Sequence, residues 1–263
     1  MITLEDIKKI FEANKDVWLV GTHQGNDGNQ GNTLEGLLGV AENNLSLPDL
    51  GVFELKTQKN ETGSYITLFH KEPKPRASIP KLLKCLGWKH QEAGKAYGVD
   101  EMSFRSTTYA HRFSDRGFTI QLTDEKIEFI FDPTKVNVGA KDATSVYQNY
   151  GDWLSDVETR SPNYKAVLPV YWDRKDFDSI CITKLNNTLM CYCDTKVIDK
   201  IEHFKITEAF VYKNFKHDNL SRLFNEGAVV IDFDARTRHN HGTKLRVKRD
   251  KLGELFEFSE RLI

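Results

Sequence analysis

The sequence predicts a mixed chain of helices and strands, either α/β or α+β, from three observations. Apolar residues recur at helical spacing behind capping residues near the start. Later segments are short runs rich in β-branched and aromatic residues. Gly, Asn, Asp and Pro separate the two kinds of segment. With 263 residues, 39% of them hydrophobic and 11% aromatic, the chain can bury one sizeable core, or two small ones sharing an interface, without disulfide or metal staples.

The first helix is expected over residues 3–14, with Thr3 as N-cap, Asp6 reaching back, and Leu4, Ile7, Ile10 and Phe11 on one face. A short strand at 17–20 leads into the polar loop 21–32, whose four glycines fit no phosphate-binding fingerprint. A second helix is expected from Asn32 or Thr33, with Leu34, Leu37, Leu38 and Ala41 on its apolar stripe and an end at Asn43-Asn44 before Pro48. Strands follow at 51–58 and 64–71, joined as a hairpin by Lys-Asn-Glu-Thr-Gly. Further strands are expected at 118–122, 126–131, 165–172 and 228–233, with helices near 143–157 and 195–201. The change in composition around Arg160-Ser161-Pro162-Asn163 marks the division expected between two lobes, 1–160 and 161–263.

Charge and composition exclude several classes. Charged residues make up 29% of the chain and the mean hydropathy is -0.51, and no apolar run approaches the roughly 20 residues a membrane span needs. No membrane partner is therefore expected. Charges interrupt the N-terminal segment where a secretory signal needs an apolar core, and four cysteines are too few for a disulfide framework in a chain this long. The cytoplasm is the expected location. The formal net charge is only -1, yet residues 71–116 hold 10 Lys/Arg against 5 Asp/Glu, and residues 236–251 hold 7 against 1. Two basic islands on an acidic background suit a polyanion bound locally, and equally suit two ordinary solvated faces.

The segment Pro48-Asp49-Leu50-Gly51-Val52-Phe53-Glu54-Leu55-Lys56-Thr57 is the most informative. Side chains two apart on a strand share a face, so Glu54 and Lys56 point one way while Phe53 and Leu55 point into the core. Asp49 lies between Pro48 and Gly51, where a bend can bring its carboxylate to Glu54. Two carboxylates beside a lysine make a hard-oxygen site suited to Mg²⁺. The lysine then positions or activates water and offsets charge on a phosphorane-like transition state, so the chemistry served is phosphodiester hydrolysis. The competing reading is an exposed strand with alternating charges. Glu35, on the preceding helix, reads as a third carboxylate for this site and also as a capping-box partner of Asn32, and the two readings are not exclusive.

Gly31-Asn-Thr-Leu-Glu35, Asn44-Leu-Ser-Leu-Pro-Asp49, Phe53-Glu54-Leu-Lys56-Thr57, Thr67-Leu-Phe-His-Lys71 and His239-Asn-His241-Gly-Thr243 followed by Arg246 resemble, in that order, the MvaI/BcnI family of type II restriction endonucleases. The Leu-Gly-Val-Phe-Glu-Leu-Lys-Thr stretch also resembles the MutH-like branch of the PD-(D/E)xK nucleases. The resemblance implies an α/β fold with a PD-(D/E)xK core, a mixed β-sheet flanked by helices, and two lobes forming a DNA-binding cleft, catalytic and recognition. It implies Asp49 and Glu54 as metal ligands, Lys56 as the catalytic lysine and Glu35 as a supporting acid. It further implies a Mg²⁺-dependent monomer that cuts double-stranded DNA at a specific sequence, one strand at a time. In a restriction-modification system, a cognate DNA methyltransferase is expected as a genetic companion and not as a bound subunit. The rival readings are a MutH-like mismatch-repair nicking enzyme and a DNA-binding protein with a decayed nuclease site.

Base and backbone contacts are expected from the second basic island, where Arg236, Arg238, His239, His241, Lys244 and Arg246 read as a groove-entering turn after the strand at 228–233. A zinc site joining Cys191 and Cys193 to these histidines is a poorer reading, since one-residue spacings do not suit it. His70 and Lys71, near the proposed site, are further DNA-contact candidates. Lys74, Arg76, Lys81 and Lys84 are candidate phosphate anchors.

Overall fold

The computed structural model describes residues 2–26, 28–39, 53–63 and 65–263. The elements in order are α1 (Leu4–Asn14), β1 (Leu19–Val20), α2 (Asn29–Leu37), β2 (Glu54–Lys59), β3 (Ile66–His70), α3 (Ser78–Leu86), β4 (Trp88–Lys89), α4 (Gln91–Tyr97), β5 (Met102–Thr108), β6 (Arg116–Leu122) and β7 (Lys126–Val136). Then come α5 (Tyr150–Arg160), β8 (Val170–Asp173), α6 (Arg174–Leu185), β9 (Asn187–Ile198), β10 (Ile201–Phe215), α7 (His217–Asn225), β11 (Val229–Arg236), β12 (His239–Val247) and β13 (Phe256–Arg261). The result is a mixed α/β fold whose sheets are flanked by helices. No helix among the described residues is long and apolar enough to cross a membrane.

The chain forms two compact units, and each is discontinuous in sequence. The first comprises Met1–Ile66, Asp178–Asn219 and Lys248–Ile263, and the second Thr67–Phe177 and Leu220–Val247. The division expected between residues 160 and 161 therefore falls inside the second unit. Strand pairing, and not position along the chain, decides membership. β2 takes β9 as its parallel neighbour, so a segment more than a hundred residues downstream belongs with the N-terminal helices.

In the first unit the strands run in the order β1-β10-β9-β2, with β13 added on β10. α1 carries the expected capping box, with the Asp6 amide donating to Thr3 Oγ1 and the Thr3 amide donating to Asp6 Oδ2. Its Ile7 and Phe11 pack with Leu34 and Leu38 against Leu55, Leu189, Cys191 and Cys193 in one core. β9 is buried on both faces from Thr188 to Cys193, as a central strand covered on each side must be.

Several local expectations are corrected. α2 begins at Asn29 with Gly28 as an N-cap that offers no side chain, so Asn32 lies inside the helix and cannot cap it. Asn29 is instead turned back onto the polar loop, accepting from the His23 amide at 2.8 Å and donating to Glu202 at 2.8 Å. The expected helix end at Asn43-Asn44 lies outside the described residues. β2 and β3 are not a hairpin: β2 pairs with β9, and β3 with β12. Residues 195–201, expected as a helix, form the turn and arms of the β9–β10 hairpin, with Asp199 and Lys200 both at positive φ. The helix expected at 143–157 is α5, starting only at Tyr150 behind the Asn149 cap. Of the strand expected at 165–172, residues 165–167 belong to the 3₁₀ turn Tyr164–Val167 and only residues 170–172 are strand, in β8.

The second unit holds two sheets, β3-β12-β11-β5-β4 and β6-β7-β8. Their shared filling is aromatic: Phe104 lies 5.3 to 6.0 Å, centroid to centroid, from Phe118, Phe129 and Phe233. These tilted and edge-on geometries are the favourable ones for ring pairs. At the margin Arg116 and Asp142 form a buried pair at 2.5 Å, with the guanidinium 3.9 Å above the Trp88 ring.

Candidate active site and nucleic-acid interface

The carboxylate and lysine of the sequence analysis meet at the start of β2, an edge strand of the first unit's sheet among the described residues. In register, Glu54 lies beside Thr188 and Lys56 beside Met190, while Leu55 pairs with Leu189. The Leu55 side faces the helical core, so Glu54 and Lys56 occupy the other face, as strand alternation predicts. Glu54 is 4% exposed. Its Oε1 accepts from Lys56 Nζ at 2.5 Å, and Lys184 Nζ, from the last turn of α6, lies 3.8 Å from the same oxygen.

The other oxygen, Glu54 Oε2, is buried and has no hydrogen-bond partner among the described residues. A buried polar atom left unmatched costs about 1–3 kcal/mol and calls for an explanation. A carboxylate with one oxygen held by cations and the other open fits a hard divalent ion, which binds oxygen donors. Among the described residues no group of three or more His, Cys, Asp or Glu gathers as a ligand set. Asp49, the expected second ligand, lies outside the described residues. α2, which carries Glu35, packs through Leu34 and Leu38 on the Leu55 side of the sheet, and Glu35 itself is half-buried. Lys184 was not found by sequence reasoning, because a lone lysine at a helix end carries no local signal.

The basic island at 236–246 differs from the expected turn. Only Thr237 and Arg238 turn the chain, with Arg238 at φ 61°, and β12 runs as a strand from His239, paired with β11. Along β12, Thr243, Leu245 and Val247 are buried, while Lys244 and Arg246 alternate to the outer face. Lys244 donates to Asp234 at 2.8 Å and Arg246 to Asp232 at 2.9 Å. From β5, Arg105 pairs with Asp234 at 3.0 Å and Thr107 donates to Asp232 at 2.8 Å. Burial pushes the Asp234 carboxyl up, but Lys244 and Arg105 outweigh it, and the net shift is downward. Arg236 pairs with Glu101 at 3.3 Å and lies 4.2 Å above the Tyr97 ring. Arg238, His239 and His241 are exposed, and the two histidine rings stand 4.1 Å apart.

His70 and Lys71 come to this same edge. The Lys71 amide donates to the Thr243 carbonyl at 2.9 Å, and Glu72 accepts from the Thr243 amide and from Asn240. A Cβ on Gly242 would stand 2.8 Å from His70 Nδ1, so the ring rests directly against the backbone beside His241. The structure thus gathers His70, His239 and His241, from two distant segments, where the end of β3 meets the start of β12. Lys74, by contrast, is held by Asp173 and Asp176, while Arg76, Lys81 and Lys84 are exposed. Cys191 and Cys193 are fully buried core residues. Desolvation raises the Cys191 thiol well above its ordinary value and pushes Cys193 up to about 12, as expected of thiols packed in a core.

The described catalytic candidates all belong to the first unit, and the DNA-contact candidates to the second. Among solved structures the fold matches restriction endonuclease MvaI in complex with its cognate DNA substrate, with a TM-score of 0.73, 20% identity and full coverage of both chains. It is also similar to MvaI in the absence of DNA, with a TM-score of 0.49, 20% identity and coverage of 100% of this chain and 99% of that one. No curated protein matches the chain. The profile of the MvaI/BcnI restriction endonuclease family matches residues 6–256. The chain therefore belongs to the MvaI/BcnI restriction endonuclease family, and is a type II site-specific deoxyribonuclease with a fold consistent with the PD-(D/E)xK core.

Proposed function

We propose that this protein is a Mg²⁺-dependent endonuclease that hydrolyses phosphodiester bonds of double-stranded DNA at a short specific sequence, as a monomer cutting one strand at a time. The observation that carries the reading is Glu54, a buried carboxylate with Oε1 bound to Lys56 and Oε2 open. Asp49 and Glu54 hold the metal. When bound, Mg²⁺ supplies Lewis-acid stabilisation of the phosphoryl oxygens and makes a water more acidic. Lys56 donates to the attacking water or a non-bridging phosphate oxygen and offsets the charge that builds there. Glu35 supports the site from α2. The cognate DNA substrate of the MvaI complex supports the choice of substrate.

In this reading the first unit is the catalytic lobe and the second the recognition lobe. His70, Lys71, Arg236, Arg238, His239, His241, Lys244 and Arg246 meet the duplex. Phosphate contacts from the lysines position it, while arginine and histidine at strand edges address guanine acceptors. The protein acts in the cytoplasm, beside a separate methyltransferase that protects the host sequence.

The test is digestion of a supercoiled plasmid with Mg²⁺, with Ca²⁺ as a control. Linear product with ends at discrete sites supports the proposal. Accumulation of nicked circles alone points to a MutH-like nicking enzyme, and binding without cleavage to a decayed site.

A further inference from the structure

Lys56 Nζ lies 2.5 Å from Glu54 Oε1, a short charge-assisted hydrogen bond. In this geometry a donor of the proposed catalytic lysine is committed to the carboxylate. Two further N–H donors of the ammonium remain for the reacting phosphate, and wherever reaching it lengthens the bond to Glu54, a 4% exposed carboxylate losing a cation is costly. Lys184 Nζ stands 3.8 Å from the same oxygen, with 26% of its side chain exposed. Both ammonium groups converge on Oε1 and leave Oε2 open. A shift of about 1 Å brings Lys184 into hydrogen-bond range.

The backbone fixes this placement. Leu185, next to Lys184, is fully buried. Thr188 Oγ1 donates to the Leu185 carbonyl at 3.3 Å and so ties the end of α6 to the start of β9. Thr188 is also the residue in register with Glu54. A cation on the last helical turn is additionally favoured by the carbonyls there.

Resting on the proposed role of Glu54 and Lys56, we infer that Lys184 is a positioning residue of this site: it takes over Glu54 Oε1 when Lys56 turns to the reacting phosphate. Lys184 does not touch the substrate.

The experiment compares Lys184→Met, Lys184→Gln and Lys184→Arg with Glu54→Gln and Lys56→Met, using a duplex that carries the site mapped from wild-type cleavage products. Single-turnover cleavage with Mg²⁺ is expected to fall roughly 10- to 100-fold for Lys184→Met and Lys184→Gln, the range for outer partners of metal ligands. Lys184→Arg should recover most of the rate. Binding of the same duplex with Ca²⁺ should stay near wild type in all three. A readout independent of activity is a double-mutant cycle by urea unfolding in EDTA. Lys184→Met should lower the midpoint in the wild-type background, more so in the Lys56→Met background, and least with Glu54→Gln. Wild-type cleavage by Lys184→Met, or identical midpoint shifts in all backgrounds, overturns the inference while leaving the site intact. Wild-type cleavage by Glu54→Gln and Lys56→Met overturns the site reading itself.

Discussion

Arg246 on β12 donates to Asp232 on β11 at 2.9 Å, so the more basic of the two charged segments meets a counter-charge from the strand paired with it. An arginine held in this way has its guanidinium oriented in advance and its net field reduced. Such a residue adds little to the salt-dependent attraction for phosphates and more to discrimination between bases.

Arg246→Ala and His241→Ala are expected to separate these contributions. For at least one of them, cognate affinity should fall by ~1–3 kcal/mol per lost base contact, with binding to random DNA nearly unchanged. Competition titrations on both DNAs at one salt concentration measure this. Equal losses on both would reassign the strand edge to backbone positioning.

Asp49→Ala, Glu54→Ala and Lys56→Ala should each abolish cleavage with Mg²⁺ and leave specific binding with Ca²⁺ largely intact, since phosphate anchors elsewhere dominate affinity. Glu35→Ala should be milder, as α2 packs on the opposite side of the sheet from Glu54. Cleavage at the wild-type rate by any of the first three places the chemistry elsewhere.

Among the described residues the first unit contains one Glu54–Lys56 pair, so one copy of the chain is expected to hydrolyse one strand at a time. With plasmid in excess, nicked circles should precede linear DNA in a time course. Concerted double-strand cutting by a stable dimer in sedimentation would contradict this.

Gly242→Ala should destabilise the second unit by about 1 kcal/mol or more, because Gly242 sits at φ +88° and an added Cβ would meet the His70 ring at 2.8 Å. A lowered thermal midpoint with weakened cognate binding is expected. A midpoint equal to wild type would show that His70 moves aside freely.

Where local chemistry was strong, the sequence was readable. The Thr3–Asp6 capping box and the alternation around Glu54 are set by neighbours a few residues apart, and both are found in the structure. The β9–β10 hairpin was not legible. Its two-residue turn is Asp199-Lys200, and without the glycine or asparagine that usually accepts positive φ the segment reads as helical. The charge island reads as more basic in the sequence than it is in the fold for a related reason. Asp232 and Asp234 lie just outside the counted window, and only the pairing of β11 with β12 lays them beside Arg246 and Lys244. Lys184 could not be seen at all, because its meeting with Glu54 depends on where α6 ends relative to β2.

The parallel pairing of β2 with β9 also has a temporal side. A nascent chain emerges from the ribosome at about 5–20 residues per second, and β2 has no strand neighbour among the described residues until β9 follows. Lys184 arrives on the same late stretch. A truncated or stalled product ending before α6 would therefore carry Glu54 and Lys56 with neither the strand that orders them nor the second cation. With Glu54 and Lys56 as the proposed active site, such a fragment is expected to lack nuclease activity, which should appear only once β9 and α6 have been made.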